Sequence, residues 1–266
     1  MTRVLSGAVL LVFAIVVVWL APAPVFLAVA LALLLIACHE YDGLAQASGL
    51  QIPIVPSGAA AVLACVTFAS LEVDGFHGLP LDVVLLSALV AIGATTLASW
   101  NGGRDAIATV SAALFPALYL GLPIGAMIAV RDGYGAQALF LLMLTIVASD
   151  TAQYYSGRAF GRLKLAERIS PKKTIEGAIG GFVFGSFVLT SVGNWWLPTV
   201  PLPMRVLLGL TVVALGIAGD LFESMLKRSA GVKDSSTLIP GHGGILDRID
   251  ALLFAAPVFY IVLKYV

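Results

Sequence analysis

Long apolar runs separated by short polar segments dominate the sequence. Nine of them approach the roughly 20 apolar residues that a helix needs to cross a bilayer. They cover about 4–21, 23–38, 52–71, 81–99, 107–130, 136–155, 174–195, 203–222 and 249–265. Pro116 and Pro123 fall inside the fifth run, where we expect a kink or a break. The pattern predicts an all-α, polytopic integral membrane protein with about nine transmembrane helices.

The connection between the first two runs is very short, Ala-Pro-Ala-Pro at 21–24. It fits a tight hairpin between two helices. It also places Ala21 and Ala23 in the small-x-small pattern that a signal peptidase cuts. The sequence is compatible with both interpretations.

Basic residues predict the orientation, because cytoplasmic loops carry an excess of Lys and Arg. With the N-terminus in the cytoplasm, the inner segments hold Arg3, Arg104, six basic residues of 156–173 and four of 223–248. The outer segments then hold only Arg131, Arg205 and Lys264. The acidic loop at 72–82, which has no basic residue, also falls outside. We therefore predict a cytoplasmic N-terminus.

Composition strengthens this picture. The chain is 60% hydrophobic and 11% charged, whereas soluble domains are roughly 25% charged. A water-soluble fold of this size is therefore excluded. Cys38 and Cys65 lie in or beside apolar runs, and their spacing indicates neither a zinc site nor a disulfide framework. We divide the chain into N-terminal transmembrane helices, 1–148 (about five and a half spans), and a catalytic transmembrane region with two cytoplasmic loops, 149–266.

Asp220 is the first residue that points to chemistry. It ends a long apolar run, and an acid at the centre of a spanning helix costs about 2.5–3.5 kcal/mol on insertion scales. Such a residue normally faces a partner or a wet cavity. Glu223, Ser224 and Lys227 continue the same helical face. The alternative is a solvated helix end at the membrane surface.

The segment after Asp220 has the composition of a phosphate site. Lys227, Arg228 and Lys233 precede a Pro-Gly-His-Gly-Gly turn at 240–244. Glycine backbones let N–H groups approach phosphate oxygens closely, and cations neutralise them. Asp247 and Asp250 then share one face of the last helix and could join Asp220 around Mg²⁺, which prefers oxygen ligands. These features predict phosphoryl or nucleotidyl transfer, although neither a Walker A loop nor a G-x-G-x-x-G motif is present.

The other cytoplasmic loop complements this site. Six residues share one helical face before it: Asp150, Gln153, Tyr154, Gly157, Arg158 and Gly161. Ser170 is the predicted N-cap of the next helix, with Pro171 at its first position. Lys172 and Lys173 would then make the helix N-terminus an anion site, or they would simply anchor the loop inside. Glycines every four residues in that helix predict close packing against a neighbour: Gly177, Gly181 and Gly185.

These motifs resemble a known family. The run S-x-x-K-R-x-x-x-x-K-D-x-x-x-x-x-P-G-H-G-G-x-x-D-R-x-D, from Ser224 to Asp250, is similar to the signature of phosphatidate cytidylyltransferase, also called CDP-diacylglycerol synthase. Upstream, S-D-x-x-Q-Y-x-x-G-R-x-x-G and S-P-K-K-T-x-E-G, between Ser149 and Gly177, also resemble that family. The resemblance is strong over 149–252 and weak over 1–148. Ile175 departs from it, since many relatives have an aromatic residue there.

The resemblance implies the substrates CTP and phosphatidic acid, the products CDP-diacylglycerol and pyrophosphate, and a requirement for Mg²⁺ with a second cation such as K⁺. By motif position, the metal ligands would be Asp220 and Asp247. The catalytic and phosphate-holding residues would be Lys227, Arg228, Lys233, Asp234, His242, Arg248 and Asp250. The other substrate-binding residues would be Arg158, Lys172, Lys173, Ser224, Gly243 and Gly244.

The expected setting is the bilayer of a bacterial-type inner (plasma) membrane, with the site facing the cytoplasm and no nucleic-acid partner. A homodimer could form through the glycines of the seventh span, or these glycines could pack within one chain. His39, Glu40 and Asp42 are interpreted as an interfacial helix end.

Three other functions are compatible with part of the pattern. The chain could be a relative that acts on another lipid phosphate. It could be an ion-coupled secondary transporter in which Asp150 and Asp220 bind the coupling ion, although no inverted repeat is apparent. A structural scaffold would leave the dense polar motifs unexplained.

Overall fold

A computed structural model describes residues 2–69, 79–241 and 243–266, with side chains from residue 7 onward. Within these residues the chain forms nine helices: α1 (Thr2–Leu20), α2 (Ala23–Ala47), α3 (Ile54–Val66), α4 (Leu81–Ser99), α5 (Ala106–Tyr134), α6 (Ala136–Phe160), α7 (Ile175–Trp196), α8 (Leu202–Ser229) and α9 (Leu246–Tyr265). Two short strands, β1 (Lys164–Ala166) and β2 (Ser170–Thr174), form an antiparallel hairpin between α6 and α7.

Each predicted apolar run lies on one of these helices, so the prediction of an all-α membrane protein is confirmed. Six helices are long and apolar enough to cross a bilayer: α2, α4, α5, α6, α7 and α8. The number of nine spans and the cytoplasmic N-terminus stay predictions. Most of the predicted acidic outer loop, including His77, lies outside the described residues.

The predicted hairpin between the first two helices is present. Helix α1 ends at Leu20 and α2 begins at Ala23. Arg131, in the last turn of α5, contacts both helices next to the connection between α1 and α2. Its Nε donates a 3.1 Å hydrogen bond to the carbonyl of Val18, and its guanidinium lies 4.6 Å from the ring centroid of Phe26.

The two prolines of α5 distort the helix without breaking it. Residues Ala117–Gly121, between Pro116 and Pro123, form a π-helical turn. Proline removes a backbone donor and displaces the carbonyl one turn earlier, and a π turn accommodates this change. Helix α3 packs directly on the distorted turn, because a Cβ at Gly121 would lie 2.4 Å from the carbonyl oxygen of Ala61. The turn where a kink was predicted is therefore a surface on which α3 packs.

The glycines of α7 allow α6 to approach closely, as predicted. A Cβ at Gly177 would lie 2.8 Å from the carbonyl oxygen of Gln153, and one at Gly181 would lie 2.6 Å from the Gln153 Cγ. Gly185 is equally close to a side chain of α8, with Val213 Cγ2 at 2.5 Å. The glycines thus serve packing within one chain, and the homodimer stays a prediction.

The prediction that a helix begins at Ser170 is wrong. Residues Ser170–Thr174 form strand β2, and α7 begins at Ile175. Proline disfavours the helical conformation of the residue before it, and β1 offers a pairing partner. Thr174 is the N-cap, and its hydroxyl accepts a 3.1 Å hydrogen bond from the N–H of Gly177. Lys172 and Lys173 therefore lie on a strand that leads into the helix.

One hydrophobic core contains residues of both the 1–148 and the 149–266 parts. Helices α8 and α9 cross closely within it, because a Cβ at Gly219 would lie 2.6 Å from the carbonyl oxygen of Asp250. This crossing places Asp220 beside the first turns of α9. The polar residues of α6, α7, α8 and α9 consequently meet at one end of the helices, together with the hairpin and the 230–245 loop.

Candidate active site

The first pocket lies between the end of α6 and the start of α7, and we call it the α6–α7 pocket. Its volume is about 400 Å³. Two acidic residues, Asp150 and Asp220, line it opposite three basic residues, Arg158, Lys172 and Lys173. The remaining lining residues are Gln153, Tyr154, Gly157, Thr174, Gly177 and Ala178. Two motifs that are distant in sequence therefore meet in one cavity.

An ion pair forms the centre of the α6–α7 pocket. The Lys173 Nζ lies 2.6 Å from Asp220 Oδ2, and the two side chains are 20% and 30% exposed. The hydroxyl of Ser224 donates to Asp220 Oδ1 at 3.4 Å, one helical turn away. Gln153 orients the second acid by donating a 3.0 Å bond to Asp150 Oδ1. Both carboxylates are thus held at the cavity wall and remain accessible to a cation.

A second pocket, the loop pocket, is formed by the segment between α8 and α9. Its volume is also about 400 Å³. Its lining residues are Lys233, Asp234, Ser236, Thr237, Ile239, Pro240, Gly241, Gly243 and Arg248. Gly241 and Gly243 have φ values of +76° and +75°, which favour glycine over any residue with a Cβ. This turn, with cations beside it, has the features of an anion-binding nest.

His242 lies outside the described residues, so its predicted phosphate role stays a prediction. Its neighbours close the turn through a 2.8 Å bond from the N–H of Ile239 to the carbonyl of Gly243. Arg228 bonds to the backbone, through Nη1 to the Val232 carbonyl at 2.9 Å and through Nε to the Ile169 carbonyl at 3.4 Å. Arg228 therefore links the 230–245 loop to the hairpin.

Lys227 lies in a buried polar cluster that consists of Glu40, Glu223, Lys227, Ser235 and Asp247. Its ammonium group ion-pairs with both Glu223 and Asp247. Glu223 is fully buried, and sequence reasoning placed it on the right helical face without giving it a role. Lys227 thus neutralises two carboxylates, and its predicted contact with a substrate phosphate stays a prediction.

Asp247 has protein partners on both carboxylate oxygens. Its Oδ1 pairs with Lys227, and its Oδ2 accepts bonds from the Gly244 N–H at 2.8 Å, the Ser235 N–H at 2.9 Å and the Ser235 hydroxyl at 2.7 Å. The carboxylate therefore holds the 235–244 segment against the start of α9. Its predicted role as a metal ligand stays a prediction and would require some of these bonds to be exchanged.

Glu40 and Ser235 are residues of this cluster to which sequence reasoning gave no role in the site. Glu40 is 4% exposed and contacts Ser235, Ser236, Ile245 and Leu246, and its position at an interfacial helix end stays a prediction. The signals in the sequence were an acid directly after the apolar run of α2 and the fit of His39-Glu40 to the family resemblance. Nothing local indicates that its partners lie some 200 residues further along.

The comparisons with known proteins agree with this geometry. A family model described as the cytidylyltransferase family matches residues 1–266. The chain belongs to the cytidylyltransferase family. Relatives named phosphatidate cytidylyltransferase include those of Helicobacter pylori, 36% identical over 71% of this chain and 68% of that one, and Thermotoga maritima, 36% identical over 70% and 69%. The Bacillus subtilis relative is 35% identical over 74% of this chain and 72% of that one.

Membership in the cytidylyltransferase family covers more of the chain than the motif resemblance did. The resemblance was strong only over 149–252, whereas the family match includes all nine helices of the described structure. The N-terminal helices are therefore part of the cytidylyltransferase fold. The contact of Glu40 with the 235–246 segment gives this continuity a physical basis.

The groups that would hold a Mg²⁺ ion in this cytidylyltransferase are the two carboxylates of the α6–α7 pocket, Asp150 and Asp220. Within the described residues, no three Asp, Glu, Cys or His side chains form a group that could hold a metal by themselves. Mg²⁺ usually uses one or two carboxylates, several waters and substrate phosphates. Asp220 offers a partly exposed carboxylate to the α6–α7 pocket, with Asp150 on the same wall.

Electrostatic interactions connect the two pockets. Asp250 lies within electrostatic range of Asp220, Asp150 and Lys227, and Arg248 of the loop pocket interacts with Asp150 of the α6–α7 pocket. Like charges this close disfavour the ionised form of each acid, and nearby cations favour it. The structure thus brings the predicted acids and bases into one charged region.

Proposed function

We propose that this protein is a phosphatidate cytidylyltransferase, which transfers CMP from CTP to phosphatidic acid. A phosphatidate oxygen forms a bond to the α-phosphorus of CTP while the bond from that phosphorus to the β-phosphate oxygen breaks. The products are CDP-diacylglycerol and pyrophosphate. The observation that supports this most is the pair of cation-lined pockets at one end of a bundle of apolar helices whose relatives carry that name.

The chemistry suits the residues. The nucleophile is already an anion, so little proton transfer is needed, and the main barrier is the approach of two anionic substrates. Fixed cations lower it by neutralising charge, and binding aligns the reacting atoms. Lys172, Lys173 and Arg158 would act in one pocket, and Lys233 and Arg248 in the other. When bound near Asp220, Mg²⁺ would neutralise further phosphate charge, and a second cation such as K⁺ is part of the proposal.

The proposal places the site on the cytoplasmic side of the inner membrane. The basic residues that line both pockets belong to two loop regions, 156–173 and 223–248, that hold ten of the 15 Lys and Arg residues. An excess of positive charge marks cytoplasmic loops. CTP would reach the site from the cytoplasm and phosphatidic acid from the bilayer.

The test is pyrophosphate release by the purified protein in mixed micelles with CTP, phosphatidic acid and Mg²⁺. We expect release that needs both substrates and falls at least about hundredfold in Asp220→Asn, as when one charge-stabilising group is lost. Asp132→Asn is the matched control, since Asp132 pairs with Arg131 at the far end of α5. Release that requires a different lipid phosphate would favour the alternative relative, and no release from folded protein would refute the proposal.

A further inference from the structure

The carboxylate of Glu40 has three hydrogen-bond donors around it and a fourth, the Ser235 hydroxyl, that it shares with Asp247, all from one segment. Oε1 accepts from the Ser236 hydroxyl at 2.7 Å and the Ile245 N–H at 3.0 Å. Oε2 accepts from the Leu246 N–H at 2.8 Å, with the Ser235 hydroxyl at 3.1 Å. A buried carboxylate is costly unless such partners compensate for the loss of water. Both oxygens of Glu40 are compensated by this segment alone.

Two of these donors are backbone N–H groups at the start of α9. The first N–H groups of a helix have no partner within the helix, and Ile245 at the N-cap position has no polar side chain that could accept such bonds. Glu40 supplies the missing acceptor from α2, and its negative charge also interacts favourably with the helix dipole. A residue from the N-terminal part thus caps the helix that carries Asp247 and Asp250.

Gly244 makes this approach possible. A Cβ at that position would lie 2.2 Å from Glu40 Oε1 and 2.3 Å from the Ser235 hydroxyl oxygen. The last glycine of the Gly-His-Gly-Gly turn, Gly244, is therefore required by the contact with Glu40. Part of the motif serves a buried acid 200 residues away in the sequence.

Ser235 connects Glu40 to Asp247. Its hydroxyl lies within hydrogen-bond distance of both carboxylates, and its N–H donates to Asp247 at 2.9 Å. Asp247 in turn pairs with Lys227 on α8. The residues of 233–243 that line the loop pocket follow α8 and precede Gly244. The segment that forms this pocket is therefore held at both of its ends.

We propose that Glu40 is a positioning residue for cytidylyl transfer. By fixing both Ser235–Ser236 and the start of α9, it holds Lys233, Gly243 and Arg248 in the arrangement that receives the phosphates of CTP. Sites work best when their supporting residues are locked by hydrogen bonds and packing. This inference rests on the proposed function, but the contacts of Glu40 are testable without it.

Glu40→Gln is the informative variant and Asp42→Asn is its control. Glutamine preserves the size of the side chain but turns an amide N–H₂ group toward one backbone N–H, so that bond is lost, whereas the serine hydroxyl on the same side can accept from the amide. Asp42 is also buried at the same end of α2, yet among the described residues its side chain accepts a hydrogen bond from Gln46 on its own helix, at 2.7 Å, and from none of the 235–246 residues that the structure describes. A general effect of removing a buried charge from this helix end would therefore occur in both variants.

The first measurement is hydrogen–deuterium exchange of the folded protein in detergent, which is independent of activity. We expect the amides of 235–246 to exchange about tenfold faster in Glu40→Gln. This factor corresponds to a loss of about 1.4 kcal/mol of local stabilisation. Ser236→Ala, which removes a single donor, should show a smaller change in the same segment. Asp42→Asn should match the wild type.

The second measurement is steady-state pyrophosphate release. In Glu40→Gln we expect the KM for CTP to rise about tenfold, while the KM for phosphatidic acid and the rate in Asp42→Asn stay near wild type. Unchanged exchange and an unchanged KM for CTP would overturn the inference, as would equal effects of Asp42→Asn. An inactive wild-type protein would refute the proposed function instead, and the exchange experiment would still decide whether Glu40 holds the loop.

Discussion

Buried charges in this protein are matched by specific partners, as the cluster around Lys227 shows. Lys227 lies between Glu223 and Asp247, but the two acids differ in their remaining contacts. Asp247 also accepts bonds from Ser235 and Gly244, whereas Lys227 is the ion-pair partner that the described residues give to Glu223. Loss of the lysine should therefore affect Glu223 more than Asp247.

The first prediction concerns this asymmetry. Lys227→Met should lower the free energy of unfolding by ~3–5 kcal/mol, the usual cost of breaking a buried ion pair. The second substitution Glu223→Gln in the same chain should recover part of the loss, because it removes the unpaired charge. Thermal unfolding in detergent measures both. A double variant no more stable than Lys227→Met would contradict the inference that Lys227 neutralises the buried charge of Glu223.

The second prediction concerns Gly244. Gly244→Ala should lower the free energy of unfolding by ~1–3 kcal/mol, the cost of overpacking a tight site, because the new methyl group collides with Glu40. It should also reduce pyrophosphate release per folded molecule. Gly43→Ala is the control, since a Cβ at Gly43 on α2 meets nothing within 4 Å. Equal effects of the two substitutions in unfolding measurements would show that Glu40 does not need this space.

At the scale of elements, the position of the α6–α7 pocket depends on how closely these helices approach. Gly177, Gly181 and Gly185 have no side chains of their own, so atoms of α6 and α8 lie directly against them. Strand β2, which precedes α7, places Lys173 beside Asp220 of α8. Helix packing in a bilayer relies on such small residues, since no hydrophobic force drives one apolar helix onto another. The ion pair therefore depends on the glycine contact.

The third prediction tests this dependence. Gly181→Leu should force α7 away from α6 and lower the free energy of unfolding by at least ~1–3 kcal/mol, as overpacked contacts do. It should also abolish pyrophosphate release, because Lys173 moves away from Asp220. Gly93→Leu in α4 is the control, with open space at its Cβ position. The folded fraction on gel filtration and the thermal midpoint report the difference, and a stable, active Gly181→Leu variant would refute the dependence.

At the scale of the whole molecule, both pockets lie at the end of the helices that carries the basic loops, 156–173 and 223–248. The fourth prediction is that this end faces the cytoplasm. A cysteine at Arg162 or Leu238 should be protected from a membrane-impermeant maleimide in intact cells and labelled after lysis. A cysteine at Thr199 should be labelled in intact cells. The native Cys38 and Cys65 are buried and should add little background, and the reverse labelling pattern would invert the topology.

Prediction from sequence succeeded where the signal is local. Nine apolar runs predicted the helices, Pro116 and Pro123 predicted the distortion of α5, and the glycine spacing predicted the packing of α7. It failed at Ser170, where helix-start residues form a strand. Local preferences were ambiguous there, and pairing with Lys164–Ala166 decided the outcome. Pro171 alone was the warning, because it disfavours a helical Ser170.

The sequence by itself determined that this chain is a helical membrane protein of the cytidylyltransferase family, since hydropathy and motif spacing are properties of neighbouring residues. Only the tertiary structure decided how the motif residues are used. It joined Asp220 to Lys173, buried Lys227 between two acids and brought Glu40 to the start of α9. Except for Lys227 and Glu223, which lie one turn apart on α8, these contacts join residues tens to hundreds of positions apart, and the packing of whole helices sets such distances.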